Sequence, residues 1–310
     1  MKTKTIQIVG VICLLASLSA CKSGGGNESG MGVLANIAEG FGDAGRGVAA
    51  GLRVGEAIGK ASEDFDDRQE YHLGRMASAQ ILTKYPLYSD DAANRYLNLV
   101  GKNLADYSTK PQVFAGYNFH VVQSDEINAF AMPGAYILVT RGLLRCATNE
   151  DELAAILAHE IGHVQRRHAV EAVKQARGSD VLKVALVEGA NAATNSREYA
   201  ELTKLIFSGV GDMIKTVMVN GYSREQEAGA DADAVAIMRL AGYDPNAMVS
   251  MLQRMKSLLK HDAHDFNSTH PSPDERIASV KKAIGGQVAV QPDAARTARF
   301  NEALKGARAQ

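Results

Sequence analysis

The spacing of apolar and polar positions changes several times along the chain, and each change marks an element. Apolar residues recur at helical spacing between Asp64 and Tyr85, and again between Ser89 and Tyr107. Asn118 to Val122 alternates, as a strand with one buried face does. Ala135 to Thr140 is a short apolar run directly after Pro133-Gly134 and predicts a second strand. Asn149 then stands before Glu150, Asp151 and Glu152. This is a helix start with Asn149 as N-cap and Glu152 placed to complete a capping box, and the pattern carries the helix to about Gln175. Further helices are predicted over Tyr199 to Val219, Ser223 to Leu240 and Asn246 to Leu259, with Gly242-Tyr243-Asp244-Pro245 separating the last two. A polar loop runs from His261 to His270, after which Ser272 caps a helix that has Pro273 at its first position. The pattern predicts a mainly α-helical α+β domain with a small sheet over residues 62–290, followed by a C-terminal helix over 291–310.

The N-terminus follows other rules. Lys2 and Lys4 precede the apolar run Ile6 to Leu18, which is too short and wrongly flanked for a transmembrane helix. Residues 1–20 therefore read as a signal peptide. The run ends in Leu18-Ser19-Ala20-Cys21, which resembles a bacterial lipobox, with a Ser/Gly-rich tether behind it. That resemblance implies acylation at Cys21, and Lys22 after the cysteine implies sorting to the outer membrane, facing the periplasm. An ordinary signal peptide with a chance cysteine is the plainer alternative. Residues 21–61 read as a Gly-rich tether or weak helix, in which Gly51, Gly55 and Gly59 recur every four residues. Arg46, Arg53 and Glu56 argue against a buried span there.

Charge narrows the function classes. Lys plus Arg number 34 and Asp plus Glu 35, a net charge of −1, which gives no reason to expect nucleic acid as a partner. Of three cysteines, Cys13 lies in the signal segment, Cys21 is the acylation candidate, and Cys146 stands alone as a small core residue.

His159-Glu160-Ile161-Gly162-His163 carries the chemistry. Two histidines four apart lie within about 40° on a helix and can share one metal ion. Neutral imidazoles at that spacing suit Zn²⁺. Glu160 is turned by about 100° from His159, beside the metal rather than on it, where it can take a proton from the attacking water. The alternative, two solvated histidines on a surface helix, conflicts with Ala154, Ala155, Leu157, Ala158, Ile161 and Val164, which make this a core helix. A third ligand is needed. A metzincin continuation fails, because Arg166 and Ala169 stand where Gly and His are required. His168, about 180° from His159 on a continuous helix, is expected to face away as a surface residue. A later helix offers Glu227 and Asp231 on one face, suited to a carboxylate ligand and to a carboxylate that accepts the far N–H of a ligand histidine. Glu225 and Asp233 read as a solvated acidic face.

These motifs resemble the HtpX and CAAX-prenyl-protease type of gluzincin metallopeptidase. Asn128-Ala129-Phe130-Ala131-Met132-Pro133-Gly134, the His159 to His163 motif, Glu227 followed by Ala230-Asp231, and Thr269-His270-Pro271 with Arg276 occur in that order, across roughly residues 65–285. The resemblance implies a gluzincin-type domain with one Zn²⁺ on His159, His163 and Glu227, with Asp231 supporting His159 and Glu160 as the catalytic base. It also implies a substrate cleft lined by Asn128, Ala129, Phe130 and the strand that follows, and a place near the metal for His270. There His270 is either a fourth ligand or a donor to the oxyanion. Family members embedded in membranes carry several transmembrane helices, and no such segment follows residue 20 here, so the likeness is to the soluble periplasmic branch. The expected function is endopeptidase quality control of misfolded or misassembled envelope proteins. Its partners would be protein or peptide substrates, a membrane reached through the lipid anchor, and the outer-membrane assembly machinery. A lipoprotein chaperone or assembly factor with a weakly proteolytic zinc site is the alternative.

Overall fold

Local capping sets the first elements. Asp66 accepts a hydrogen bond from Gln69 N at 2.7 Å, and the Gln69 side chain accepts from Asp66 N at 2.9 Å, which starts α1 (Asp67–Lys84). Asp90 caps α2 (Asp91–Ala105) from one side only, accepting from Ala93 N at 3.0 Å. The computed structural model describes residues 65–174, 211, 213–258, 270–286 and 293–309, all within one compact unit. The expected signal peptide and acylation site at Cys21, the Gly-rich stretch, most of the helix expected over Tyr199 to Val219, and the loop before His270 lie outside the described residues. Among the described residues no helix is long and apolar enough to cross a membrane.

Both predicted strands form, as β1 (Asn118–Val122) and β3 (Tyr136–Thr140), and a third joins them. This is β2 (Ala129–Met132), a run without polar alternation that the sequence pattern did not separate from its surroundings. The order is β1-β3-β2, with β1 parallel and β2 antiparallel to β3. Phe130 lies opposite Leu138, and Ala131 opposite Ile137. The sheet is buried on both faces. Phe119, Val121, Ala129, Ala131, Ile137 and Val139 join one apolar cluster, while Phe130, Met132 and Leu138 join a second with Leu73, Ala77 and Ile81 of α1. The turn Pro133–Ala135 between β2 and β3 lies against α1. Gly134 has φ 65°, and a side chain there would meet Tyr71 Cα at 2.5 Å, so glycine is required twice over.

A short helix, α3 (Arg141–Cys146), leads to α4 (Glu150–Gln165), the helix with the histidine motif. Cys146 is buried, its thiol 3.5 Å from Gly142 O, as a core cysteine should be. Asn149 caps α4, accepting from Glu152 N at 2.8 Å. The expected capping box does not close. Glu152 instead accepts from Thr148 N at 2.7 Å and from Arg254. The N-terminus of α4 is pinned by Glu150, which accepts from Tyr96 at 2.6 Å, from Tyr243 at 3.0 Å and from Arg299.

α4 also ends ten residues before the expected Gln175, because Arg167 adopts φ 58° and breaks the ladder before helical residues resume at 168–174. The Arg167 side chain holds that turn, donating to Phe65 O at 2.7 Å and lying 2.6 Å from the buried Glu70 carboxylate. A π-turn (Thr216–Asn220) precedes α5 (Arg224–Leu240), which Ser223 caps with a full capping box to Gln226. α6 (Asn246–Leu258), α7 (Pro273–Ile284) and α8 (Ala294–Arg308) complete the described unit. α8 buries Phe300, Leu304 and Ala307 in the main core.

Candidate metal centre

Close approach of α4 and α5 builds the site. A Cβ on Gly162 would stand 2.9 Å from Ala230 O and 3.0 Å from Ala230 Cα, so the glycine inside the histidine motif lets the two helices touch backbone to backbone. That contact sets Glu227, one turn before Ala230 and Asp231, opposite the two histidines. His159 Nε2 and His163 Nε2 converge to 3.0 Å. Glu227 Oε2 is 3.5 Å from the first and Glu227 Oε1 3.4 Å from the second. His270 enters from the start of α7, its Nδ1 2.9 Å from Glu227 Oε1. One donor atom from each of these four residues lies within 4.8 Å of the others, and all four residues are buried.

The surrounding hydrogen bonds orient the donors. His159 Nδ1 lies 2.9 Å from Asp231 Oδ1. Arg276 grips the same carboxylate through Nη2 at 2.5 Å and Nε at 3.1 Å. With its proton on Nδ1 donated to Asp231, His159 keeps the Nε2 lone pair for a metal. His163 is supported differently. Its Nδ1 lies 2.7 Å from Nδ1 of His168, which is buried and not on the surface. The angular reading failed because it assumed a continuous helix; the left-handed turn at Arg167 swings His168 back onto His163. Removing this partner in His168→Ala is expected to weaken Zn²⁺ affinity about 10–100-fold, as loss of outer hydrogen bonds to metal ligands does. Competition against a fluorescent chelator measures it, and unchanged affinity would reduce His168 to packing.

Electrostatics agree with a cation at the convergence point. Burial pushes the Glu160 carboxyl above the usual carboxylate range. Burial acts the same way on Glu227 and Asp231, but is outweighed chiefly by His270 at Glu227 and by Arg276 at Asp231, so both stay ionised. Burial and neighbouring His159 drive the His163 imidazole well below its ordinary value, and burial with Arg166 takes His168 down to about 4. Both imidazoles are neutral, the form that ligates. Arg276 balances Asp231, which leaves the Glu227 carboxylate as the anion facing the convergence point. Glu227 Oε2 is buried without a hydrogen-bond partner. Two nitrogen lone pairs and an ionised carboxylate oxygen lacking a donor fit Zn²⁺.

Every predicted site residue among those described can now be placed. His159, Glu160, His163, Glu227, Asp231 and His270 come together. Asn128 is buried just before edge strand β2, its side chain accepting from Ala129 N at 2.9 Å, while the Phe130 ring packs against Tyr85. Glu225 is exposed, and Asp233 pairs with Arg166 at 2.6 Å, away from the centre. The sequence reading gave Arg276 no role and passed over Tyr222, which stacks on His163 with centroids 4.4 Å apart. Only its place just before the Ser223 cap could have drawn attention to it.

A helix offering two histidines, crossed by a helix offering a glutamate beside a small sheet, is the arrangement of a gluzincin-type metallopeptidase domain. The chain belongs to peptidase family M48, whose model matches residues 91–284 and whose members are zinc metallopeptidases. It is similar to the beta-barrel assembly-enhancing protease of Escherichia coli K12, with 27% identity over 215 residues that cover 69% of this chain and 43% of that protein. It is also similar to the mitochondrial metalloendopeptidase OMA1 of Schizosaccharomyces pombe, with 27% identity over 226 residues covering 71% of this chain and 61% of that one. The metalloprotease LoiP of Escherichia coli K12 matches at 26% over 164 residues, 53% of this chain and 61% of its own. The chain thus spans less than half the length of the beta-barrel assembly-enhancing proteases.

Proposed function

We propose that the protein is a zinc-dependent endopeptidase of the bacterial cell envelope that hydrolyses peptide bonds in misfolded or misassembled proteins. The observation that carries the reading is the convergence of His159, His163 and Glu227 donors with a buried Glu160 beside them and outside the donor set. Zinc held by these three residues would polarise the scissile carbonyl and acidify the attacking water. Glu160 takes the proton of that water as its oxygen bonds to the carbonyl carbon and the carbonyl π pair moves to oxygen. It then gives the proton to the amide nitrogen as the C–N bond breaks. Asp231 and His168 hold the ligand imidazoles. Asn128, Ala129 and Phe130 lie where β2 ends the sheet, and an extended peptide would pair with backbone there, which asks little of its sequence. Loss of casein cleavage on chelation, with recovery on adding Zn²⁺, tests the activity. A zinc-loaded chain that leaves casein intact would favour the assembly-factor alternative.

His270 acts as a latch in this reading, because its imidazole already lies 2.9 Å from Glu227 within the donor set. His270→Ala is expected to raise basal casein cleavage and self-cleavage. A fall in turnover with zinc retained would instead make His270 a donor to the oxyanion.

Lipid on Cys21 holds the protein to the outer membrane, facing the periplasm, near the outer-membrane assembly machinery; support comes from the lipobox-like sequence and the name of the beta-barrel assembly-enhancing protease to which the chain is similar. Several acyl chains anchor stably where one does not. Cys21→Ala should move the protein out of the outer-membrane fraction, and a wild type that incorporates no labelled palmitate would remove the anchor.

A further inference from the structure

Two buried oxygens at the centre lack a hydrogen-bond partner: Glu227 Oε2 and the Tyr222 hydroxyl. Zinc accounts for the first. It leaves the second unexplained, and a buried hydroxyl without a partner costs about 1–3 kcal/mol. Packing alone does not require it, since phenylalanine would give the same ring contacts without that cost.

The ring is fixed from several sides. It stacks on His163 at 4.4 Å with planes 24° apart, and lies tilted against His168 at 5.4 Å. The backbone is held before and after it. Gly221, with φ 73°, donates to Thr216 O at 2.8 Å, and Ser223 caps α5. The hydroxyl oxygen is buried although the residue as a whole is only half-buried, and the Glu160 and Glu227 carboxylates both act on it. Neither accepts its hydrogen bond. A rigid O–H donor with no acceptor, on a ring stacked against the candidate metal ligand His163, is suited to an oxygen that arrives with substrate.

We propose that Tyr222 is a further catalytic residue, its hydroxyl donating a hydrogen bond to the carbonyl oxygen of the scissile peptide as that oxygen gains negative charge. The donor is held in place before reaction, so little reorganisation is needed when charge develops. The inference rests on the endopeptidase reading above. It adds a second source of oxyanion stabilisation that stays in place whatever His270 does.

The test uses the full chain loaded with zinc and a quenched fluorescent peptide taken from a casein cleavage site. Tyr222→Phe keeps the ring and removes only the hydroxyl. Expected are unchanged zinc content, KM within about twofold and kcat lower by about 10²–10³-fold, the usual loss for one oxyanion donor. A phosphinic peptide of the same sequence, whose tetrahedral oxygen stands for the oxyanion, should bind the variant more weakly by a similar factor. Tyr222→Leu, which removes the ring as well, should lower zinc affinity in addition. Wild-type kcat in Tyr222→Phe would overturn the proposal and leave a packing role. So would zinc loss in Tyr222→Phe that matches the activity loss, which would make Tyr222 a positioning residue for His163. A wild type that binds zinc and cleaves no peptide would sink the endopeptidase reading, and this proposal with it.

Discussion

Glu160→Gln is expected to abolish casein cleavage, by about 10²–10⁴ in rate, while zinc content and thermal stability stay at wild-type levels. The expectation follows from where the carboxylate sits. Glu160 is buried on the same helix as both histidines, yet the four-residue donor cluster does not include it. Glutamine keeps its size and most of its contacts but cannot accept a proton. Burial raises the Glu160 carboxyl, bringing its proton affinity closer to that of the water it must deprotonate. Elemental analysis and a melting curve on the purified variant separate the outcomes. A variant that loses its zinc would mean that Glu160 is a ligand and that the roles on α4 are wrongly assigned.

Glu227→Ala should empty the metal site. It removes one of three donors and leaves His159 and His163 with nitrogen atoms 3.0 Å apart and no anion between them. Glu225→Ala, two residues earlier on an exposed face of α5, should change nothing. The companion change at Asp231 needs care, because Asp231 is the carboxylate that balances buried Arg276. Asp231→Ala would strand that guanidinium, and breaking a buried pair from one side costs about 3–5 kcal/mol. Asp231→Asn keeps the shape and is the cleaner test, with an expected loss of about 10–100-fold in zinc affinity. If Glu225→Ala were the variant that loses zinc, the ligand assignment on α5 would have slipped by half a turn.

The sequence by itself determined whatever depends on neighbours along the chain. His159, Glu160 and His163 share a helix whose surroundings are apolar, so their relation to one metal follows from 3.6 residues per turn. Asn149, Ser223 and Ser272 mark helix starts because their side chains bond amides two or three residues on, and each does so. The alternation in β1 was legible for the same reason. Tertiary structure decided whatever depends on distant segments. β2 is a strand because β3 supplies its partners, and its own residues carry no alternation to betray it. Glu152 abandons its capping box because Arg254, 102 positions away, arrives beside it. His168 reaches His163 because Arg167, anchored by Phe65 and Glu70, takes a left-handed backbone where neither Gly nor Pro signals a break. Arg276 meets Asp231, and Tyr222 meets His163, only after α4 and α5 close to backbone contact at Gly162 and Ala230. Local periodicity fixes which residues share a face, whereas the partner that face meets is set by which helices can approach most closely once the core is packed.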